Sequence, residues 1–378
     1  MLYSEEQEAF RRNMRRFVEK EITPYLPEWE KAQMSPREIY KKLGDLGYLG
    51  IIFPPEYGGA GGDFKTVLIF IEELCRCGGL GLPLSITAHA YMIAPYIYHL
   101  GTEEQRQKYL VPAIKGERIL AFALSEPNYG SDAAGIQTSA RKEGDYYRVN
   151  GSKIFITNGV QADTVVLICR TAPGKQYNGL SLLIVDKDTP GFSVGRKLNK
   201  LGHLSSDTAE LVFDNCLVPQ ENLLGPEGTG FIRMAQEIQY ERLTLAVLAI
   251  GGAQVAFEWA FKYAGERTQF GKKLSEFQVI RHKLADMATE IEIIRAYCYH
   301  VAEMLEKGID CVKEISMLKR FSSEAAFKVV SESLQIHGGY GYITEFPIER
   351  MFRDIRMYSI GGGTSEIQKE IIAKRIGL

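Results

Sequence analysis

The sequence predicts a mainly α-helical protein with a β domain set into its middle, the chain dividing at about 1–118, 119–226 and 227–378. Three observations carry this. Helix-start boxes and apolar stripes of helical period fill the first stretch. Short apolar and β-branched runs bounded by turn residues fill the second. Long helical patterns resume in the third.

The elements follow in order. Ser4 with Gln7 reads as a capping box, and Phe10, Met14, Phe17 and Val18 form one apolar stripe behind it. Ser35, Pro36 and Glu38 read as a second box, with proline in the first turn. FPPEYGGAGGD (53–63) is a proline and glycine loop that ends any helix, and Thr102 to Gln105 opens another one. In the middle stretch, Asn150-Gly151 and Asn158-Gly159 read as turns on either side of KIFIT. TVVLIC (164–169), LSLLIV (180–185) and AELVF (209–213) read as strands of a small barrel or sandwich. TLAVLAIGGAQVAFEWAFKYA (244–264) is apolar on nearly every side, as a helix buried in a bundle would be. Helical patterns continue over 280–308 and 314–339. Nothing repeats at a fixed period, which excludes a solenoid.

Composition narrows the function classes. The chain has 378 residues, 45% hydrophobic and 24% charged, with a net charge of -2. That balance is ordinary for a soluble globular protein, and no global basic field invites nucleic acid. The start, MLYSEEQEAF, has no apolar h-region of a signal peptide. The longest apolar run, Leu243 to Ile250, is soon broken by glycine and glutamine, so no membrane span is expected. Six scattered cysteines fit buried free thiols in a reducing compartment, and no second Cys/His pair accompanies Cys75 and Cys77 to make a metal site.

Six segments carry candidate chemistry. FALSEPNYGSD (122–132) offers Ser125, Gly130 and Ser131 as backbone and hydroxyl donors on a loop, either an ordinary turn or a seat for a flat polar ligand or an anion. In GSKIFITNG (151–159), alternation places Phe155 and Thr157 on one strand face, an aromatic beside a hydroxyl. Tyr240, Glu241 and Arg242 are expected at the mouth of the apolar helix. Glu241 is there either a solvated acid complementing the dipole, or a carboxyl against Leu245 and Leu248 whose desolvation raises its pKa toward base range. ERTQFGKKLSEFQ (266–278) sets Arg267, Gln269, Phe270 and Gln278 around a glycine turn. QIHGGYGY (335–342) and MYSIGGGTSEIQ (357–368) place glycines where caps are common, but where bare backbone also admits a pyrophosphate.

Taken together and in order, FALSEPNYGSD, GSKIFITNG, ERTQFGKKLSEFQ, QIHGGYGY and MYSIGGGTSEIQ resemble the characteristic segments of the FAD-dependent acyl-CoA dehydrogenases over essentially the whole chain. The resemblance implies an N-terminal helical domain, a β-barrel or sandwich, a C-terminal four-helix bundle, and a homotetramer built as a dimer of dimers. It implies that Phe122, Leu124, Ser125, Gly130 and Ser131 line the flavin, with Ser131 also near the CoA arm. Phe155 and Thr157 would contact the isoalloxazine ring, Thr157 at N5, the hydride acceptor. Arg267, Gln269, Phe270, Gln278, Gln335 and Gly339 would bind the FAD of a neighbouring subunit, while Thr364 and Glu366 return to this one. Tyr240, Arg242 and Gly363 would meet the acyl-CoA. Many members carry the catalytic glutamate where this chain has Gly362. Here the base would be Glu241, as in the long-chain and isovaleryl-type members, with Gly362 supplying a backbone N–H to the thioester oxygen. The implied reaction is α,β-dehydrogenation of a fatty acyl-CoA to a trans-2-enoyl-CoA, with electrons passed to an electron-transfer flavoprotein. The implied setting is bacterial cytoplasm or mitochondrial matrix, without stable membrane insertion. A flavin monooxygenase or oxidase on the same fold, or a non-catalytic acyl-CoA-binding subunit, are the rival readings. The acyl tail is expected among residues 80–89.

Overall fold

A computed structural model describes residues 3–172 and 177–378. Helices occupy the chain as far as Ile114, strands run from Leu120 to Leu224, and helices return at Gly230. The middle strands are β1 (Leu120–Ala123), β2 (Ser139–Glu143), β3 (Tyr146–Thr157), β4 (Thr164–Arg170), β5 (Leu180–Asp186), β6 (Phe192–Lys197), β7 (Thr208–Pro219) and β8 (Leu223–Leu224). They join in the order β6-β7-β3-β2-β4-β5-β8, with β1 lying parallel beside β4.

The apolar runs of β4 and β5 have no polar alternation because both faces are covered. Val165, Leu167, Leu183 and Val185 face a core inside the β domain. Their neighbours Val166, Ile168, Leu182 and Ile184 face the large core shared by the two helical regions. A strand buried on both sides needs no polar face.

The third region is built around one helix, Gly230–Glu266, of 37 residues. It passes a length and hydropathy test for a membrane span, contrary to the sequence expectation, yet 78% of that apolar window is buried inside the protein. It packs against the helices Phe64–Cys75, Gln278–Glu306 and Val312–His337. Gly251 and Gly252 permit this closeness. A Cβ at Gly251 would lie 2.8 Å from Cys75 Sγ, and one at Gly252 2.7 Å from Leu80 Cδ1.

Several local expectations change. The capping box at Ser4 forms as read, and the helix that opens at Thr102 has one of its own. The one at Ser35 does not form: the helix Glu38–Asp45 has no side-chain cap, and the buried Ser35 hydroxyl has no partner among the described residues. Arg37, at the N-cap, is instead drawn to the β domain, donating to Gln161 O and to Asp163. Asn150-Gly151 is not a hairpin turn but a register shift inside β3, with Gly151 at φ 148°. A second shift between Lys153 and Ile156 breaks the alternation that placed Phe155 and Thr157 on one face. There Phe155 takes φ 62° and is 67% exposed. Glu241 does not begin a helix. The helix starts at Gly230, so Glu241 sits about three turns inside it. Residues 80–89 lie wholly in the core, where His89 is engaged by Ala113 O and Leu120 N.

All three regions meet at Asp354. Its buried carboxylate accepts from the backbone N–H of Leu80, at 2.8 Å, and from that of His203. Glu30 lies close by and accepts from Ser205 N at 2.8 Å. Burial is the main influence raising both carboxyls above the usual range, and their mutual repulsion adds to it at Glu30. Asp354→Ala leaves two backbone donors unpaired in the core and is expected to cost about 2–5 kcal/mol. Asp354→Asn keeps an acceptor and should lose less; chemical denaturation of the two variants checks the order.

Candidate active site

Arg242 and Gly362 are 120 residues apart, yet Arg242 Nε donates to Gly362 O at 3.2 Å. This contact brings the long helix onto the triple-glycine loop. A Cβ placed on Gly362 would lie 3.4 Å from Glu241 Oε1 and 2.5 Å from Leu245 Cδ1. The position where the resemblance puts a glutamate in other members is therefore, in space, the position of Glu241's carboxyl. The two candidate base positions converge, as the sequence required of them.

The loop is held from several sides. Gly362 and Gly363 take φ 66° and 89°, the left-handed region in which a side chain is strained. Their carbonyls are captured: Gln368 Nε2 donates to both at 3.1 Å, and Lys319 Nζ donates to Gly363 O at 2.6 Å. Among the described residues, no acceptor meets the N–H of Gly362. That amide remains available to an incoming oxygen. Thr364 caps the last helix by accepting from Ile367 N.

The electrostatics separate the two acids near this loop. Desolvation is the strongest influence on Glu241 and raises its pKa, against the lowering effect of Arg242 and Lys319. Its charge also bears on Tyr96, whose fully buried hydroxyl has no hydrogen-bond partner among the described residues. Glu366 is exposed, and its carboxyl is held below the usual range by hydrogen bonds from its own backbone N–H and from Thr364. A stabilised, solvated carboxylate is a weak base, so Glu241 is the better candidate.

The predicted flavin residues fall into two groups. Phe122 stacks on Tyr96 with ring centroids 5.0 Å apart, which links β1 to the surroundings of Glu241. Leu124 and Ser125 are half-buried, while Gly130 and Ser131 are open. Two charged residues that the motif reading passed over fix this loop. Buried Lys153 donates to Leu124 O and to Glu126, each at 2.9 Å, and Glu126 accepts from Gln137 N and Thr138 N. Ser125 O also accepts from Ile154 N. Exposed Phe155 and half-buried Thr157 follow on β3.

The second group surrounds a cavity of ≈ 480 Å³ to which Arg267, Gln269, Gly338 and Gly339 contribute. Arg267 lies over the Tyr340 ring, 5.5 Å from its centroid. Phe270 and Gly271 form the tip of a hairpin between Thr268–Gln269 and Lys272–Lys273, and Phe270 is 94% exposed. Gln278 opens the next helix, and Gln335 is exposed close to the end of Val312–His337. Glu241 and Gly362 do not line this cavity. Tyr240 also departs from the base: it faces Phe64 and His99 across a third space of ≈ 190 Å³.

A Cβ on Gly338 or Gly339 would meet nothing within 4 Å, so bare backbone is open beside Arg267. An arginine next to open backbone suits an anionic diphosphate, and exposed Phe155 offers a face to a flat ring. The residues present thus fit a flavin dinucleotide.

Comparison with known proteins decides the family. Residues 4–117, 121–216 and 228–377 match the family models for the acyl-CoA dehydrogenase N-terminal, middle and C-terminal domains. The chain belongs to the acyl-CoA dehydrogenase family. It is 44% identical over 375 residues to an acyl-CoA dehydrogenase of Bacillus subtilis, covering 99% of this chain and 98% of that one. A crystal structure of an acyl-CoA dehydrogenase from Geobacillus kaustophilus superposes with TM-score 0.97 at 44% identity, covering 100% of this chain and 99% of the other. The caffeyl-CoA reductase-Etf complex subunit CarC of Acetobacterium woodii is 40% identical over 374 residues, 99% of this chain and 98% of its own. Acyl-CoA dehydrogenases are flavoprotein oxidoreductases, and this chain is an enzyme of that class with their three-domain fold.

Filling the glycine tests the geometry. Gly362→Ala puts a methyl against Leu245 in a left-handed backbone and is expected to lose about 1–3 kcal/mol. Adding Leu245→Ala removes the clash but not the strain. The double-mutant cycle, read by thermal unfolding, should therefore show coupling between the two sites.

Proposed function

We propose that the protein removes the α-proton of a fatty acyl-CoA thioester with Glu241 and yields the trans-2-enoyl-CoA. The observation that carries this is the Glu241 carboxyl beside the Cβ position of Gly362, next to an amide with no acceptor of its own. The α-C–H of a thioester is a very weak acid, so enolate charge must be met as it forms. The Gly362 N–H supplies one donor. Burial makes Glu241 a stronger base than an exposed glutamate, and Arg242 with Lys319 keeps it ionisable. Bound FAD would supply the hydride acceptor for the β-carbon. Phe122, Leu124, Ser125, Gly130, Ser131, Phe155 and Thr157 would hold its ring side, with Thr364 and Glu366 on the same copy. Arg267, Gln269, Phe270, Gln278, Gln335 and Gly339 would hold the FAD of a neighbouring copy, in a homotetramer.

Arg242 takes a different part from the one its neighbour suggests. It is buried at 8% exposure and spends its Nε on Gly362 O, so it shapes the loop as well as facing the thioester. An electron-transfer flavoprotein as acceptor is supported by the name of the Acetobacterium relative. That name also supports the reverse direction as a second reading: the same carboxyl, protonated, can return the α-proton during reduction of an enoyl-CoA.

Glu241→Gln is expected to keep FAD and acyl-CoA binding while slowing anaerobic flavin bleaching by about a hundredfold to ten-thousandfold. Near wild-type bleaching would remove Glu241 as the base. The working form is the carboxylate and its pKa is raised, so kcat/KM should fall with acidification at a pH above that of an ordinary glutamate. Moving the acid, by Glu241→Gly with Gly362→Glu, should restore part of the rate. Leu245 must yield for this, so adding Leu245→Ala should raise the recovery.

Arg267→Ala removes the only charged side chain lining the ≈ 480 Å³ cavity among the described residues. FAD retention on gel filtration and oligomer size are expected to fall together. Full FAD occupancy in a stable monomer would contradict the shared site.

A further inference from the structure

Lys319 has so far appeared only beside Gly363 and as one of two cations near Glu241, yet its side chain is fully buried on the helix Val312–His337. A lone ammonium in a protein core is strongly disfavoured unless a partner compensates it. Its one described hydrogen bond runs to Gly363 O, at 2.6 Å. Its Cε would stand 3.8 Å from a Cβ on Gly362, the place that Glu241 Oε1 also borders.

The same helix grips the glycine segment at a second point with a neutral group. Ser323 Oγ donates to Tyr358 O at 2.9 Å, just before the glycines begin. A hydroxyl is therefore enough to dock this segment at one end. At the other end the helix uses a charge, and that charge faces the proposed base.

We propose that Lys319 is a positioning residue of the reaction: its ammonium clamps the Gly363 carbonyl, fixes the left-handed glycines beneath the free Gly362 amide, and holds the Glu241 carboxyl in its ionised form. This rests on Glu241 as the base. The groups facing Glu241 are Arg242 on its own helix, Tyr96 from Ala94–Leu100, and Lys319. Lys319 is faced in turn by Glu241, Arg242 and Glu366. Burial lowers the Lys319 pKa to about 8, so it is charged at neutral pH and loses that charge in mild alkali.

Lys319→Met keeps the stem and removes the charge. The acid limb of kcat/KM is expected to move up by about one pH unit, since the cation that favours the Glu241 carboxylate is gone. Amide hydrogen exchange at residues 361–364 of the same holoenzyme should quicken about tenfold as the clamp opens. Lys319→Arg should restore the acid limb at least in part. A folded Lys319→Met protein with an unmoved acid limb and unchanged exchange overturns the proposal. Should that variant not fold, the wild-type holoenzyme still decides. Exchange at 361–364, corrected for intrinsic base catalysis, should rise between pH 7 and 9, and a flat corrected profile overturns the clamp. Glu241→Gln separates the two ideas. If it leaves bleaching intact, the base reading fails, whereas a moved acid limb with an inert Glu241→Gln protein supports both.

Discussion

The constraint on which the site depends is that Glu241 and Arg242 stand in the interior of a helix covered along most of its length. Charges in such a place cannot be satisfied by water, so backbone must come to them. The glycine loop does this. It turns two successive carbonyls toward Arg242, Lys319 and Gln368, and only residues without side chains can approach so closely with φ near +66° and +89°. The arrangement leaves the carboxyl desolvated and an amide unspent, which are the two things that enolate formation asks of a protein.

The rest of the fold keeps the helix and the loop in register. Asp354 ties the segment before the glycines to Leu80 in the first region and to His203 in the second. Asn158 joins the first two in the same way: its side chain donates to Ser85 O and Leu120 O and accepts from Tyr40. Each of these junctions is a buried polar group with partners in different regions. Such groups specify one docking geometry, because any other would leave them unpaired.

Much of this was legible in the sequence, and the failures have physical causes. The three-region order was readable from period alone, since the change from helical stripes to short apolar runs is large. The convergence of Glu241 and Gly362 was readable only through the family resemblance, because proximity across 120 residues leaves no local trace. Strand alternation failed at Phe155 because a register shift inserts a residue without changing composition. The start of the long helix was missed because FIRMAQEIQY lacks the strong apolar pattern that follows it. Ser35 was misread because Arg37 has stronger partners in the β domain than any cap could offer. Lys153 and Lys319 gave no signal at all: a lysine in an amphipathic pattern reads as a solvated face, and only burial shows that it holds a loop.

The closeness of Gly362 to the Glu241 carboxyl bears on how such enzymes change over time. The acid is tied to a point beside the substrate rather than to a place in the chain, and two backbones reach that point. A descendant could therefore acquire a second carboxyl at 362 before losing the first at 241. In that intermediate the two acids would crowd one site, where like charges this close share a single proton instead of ionising together. One of the pair would still be ionised, so the ancestor need not pass through an inactive form while the acid migrates from one segment to the other.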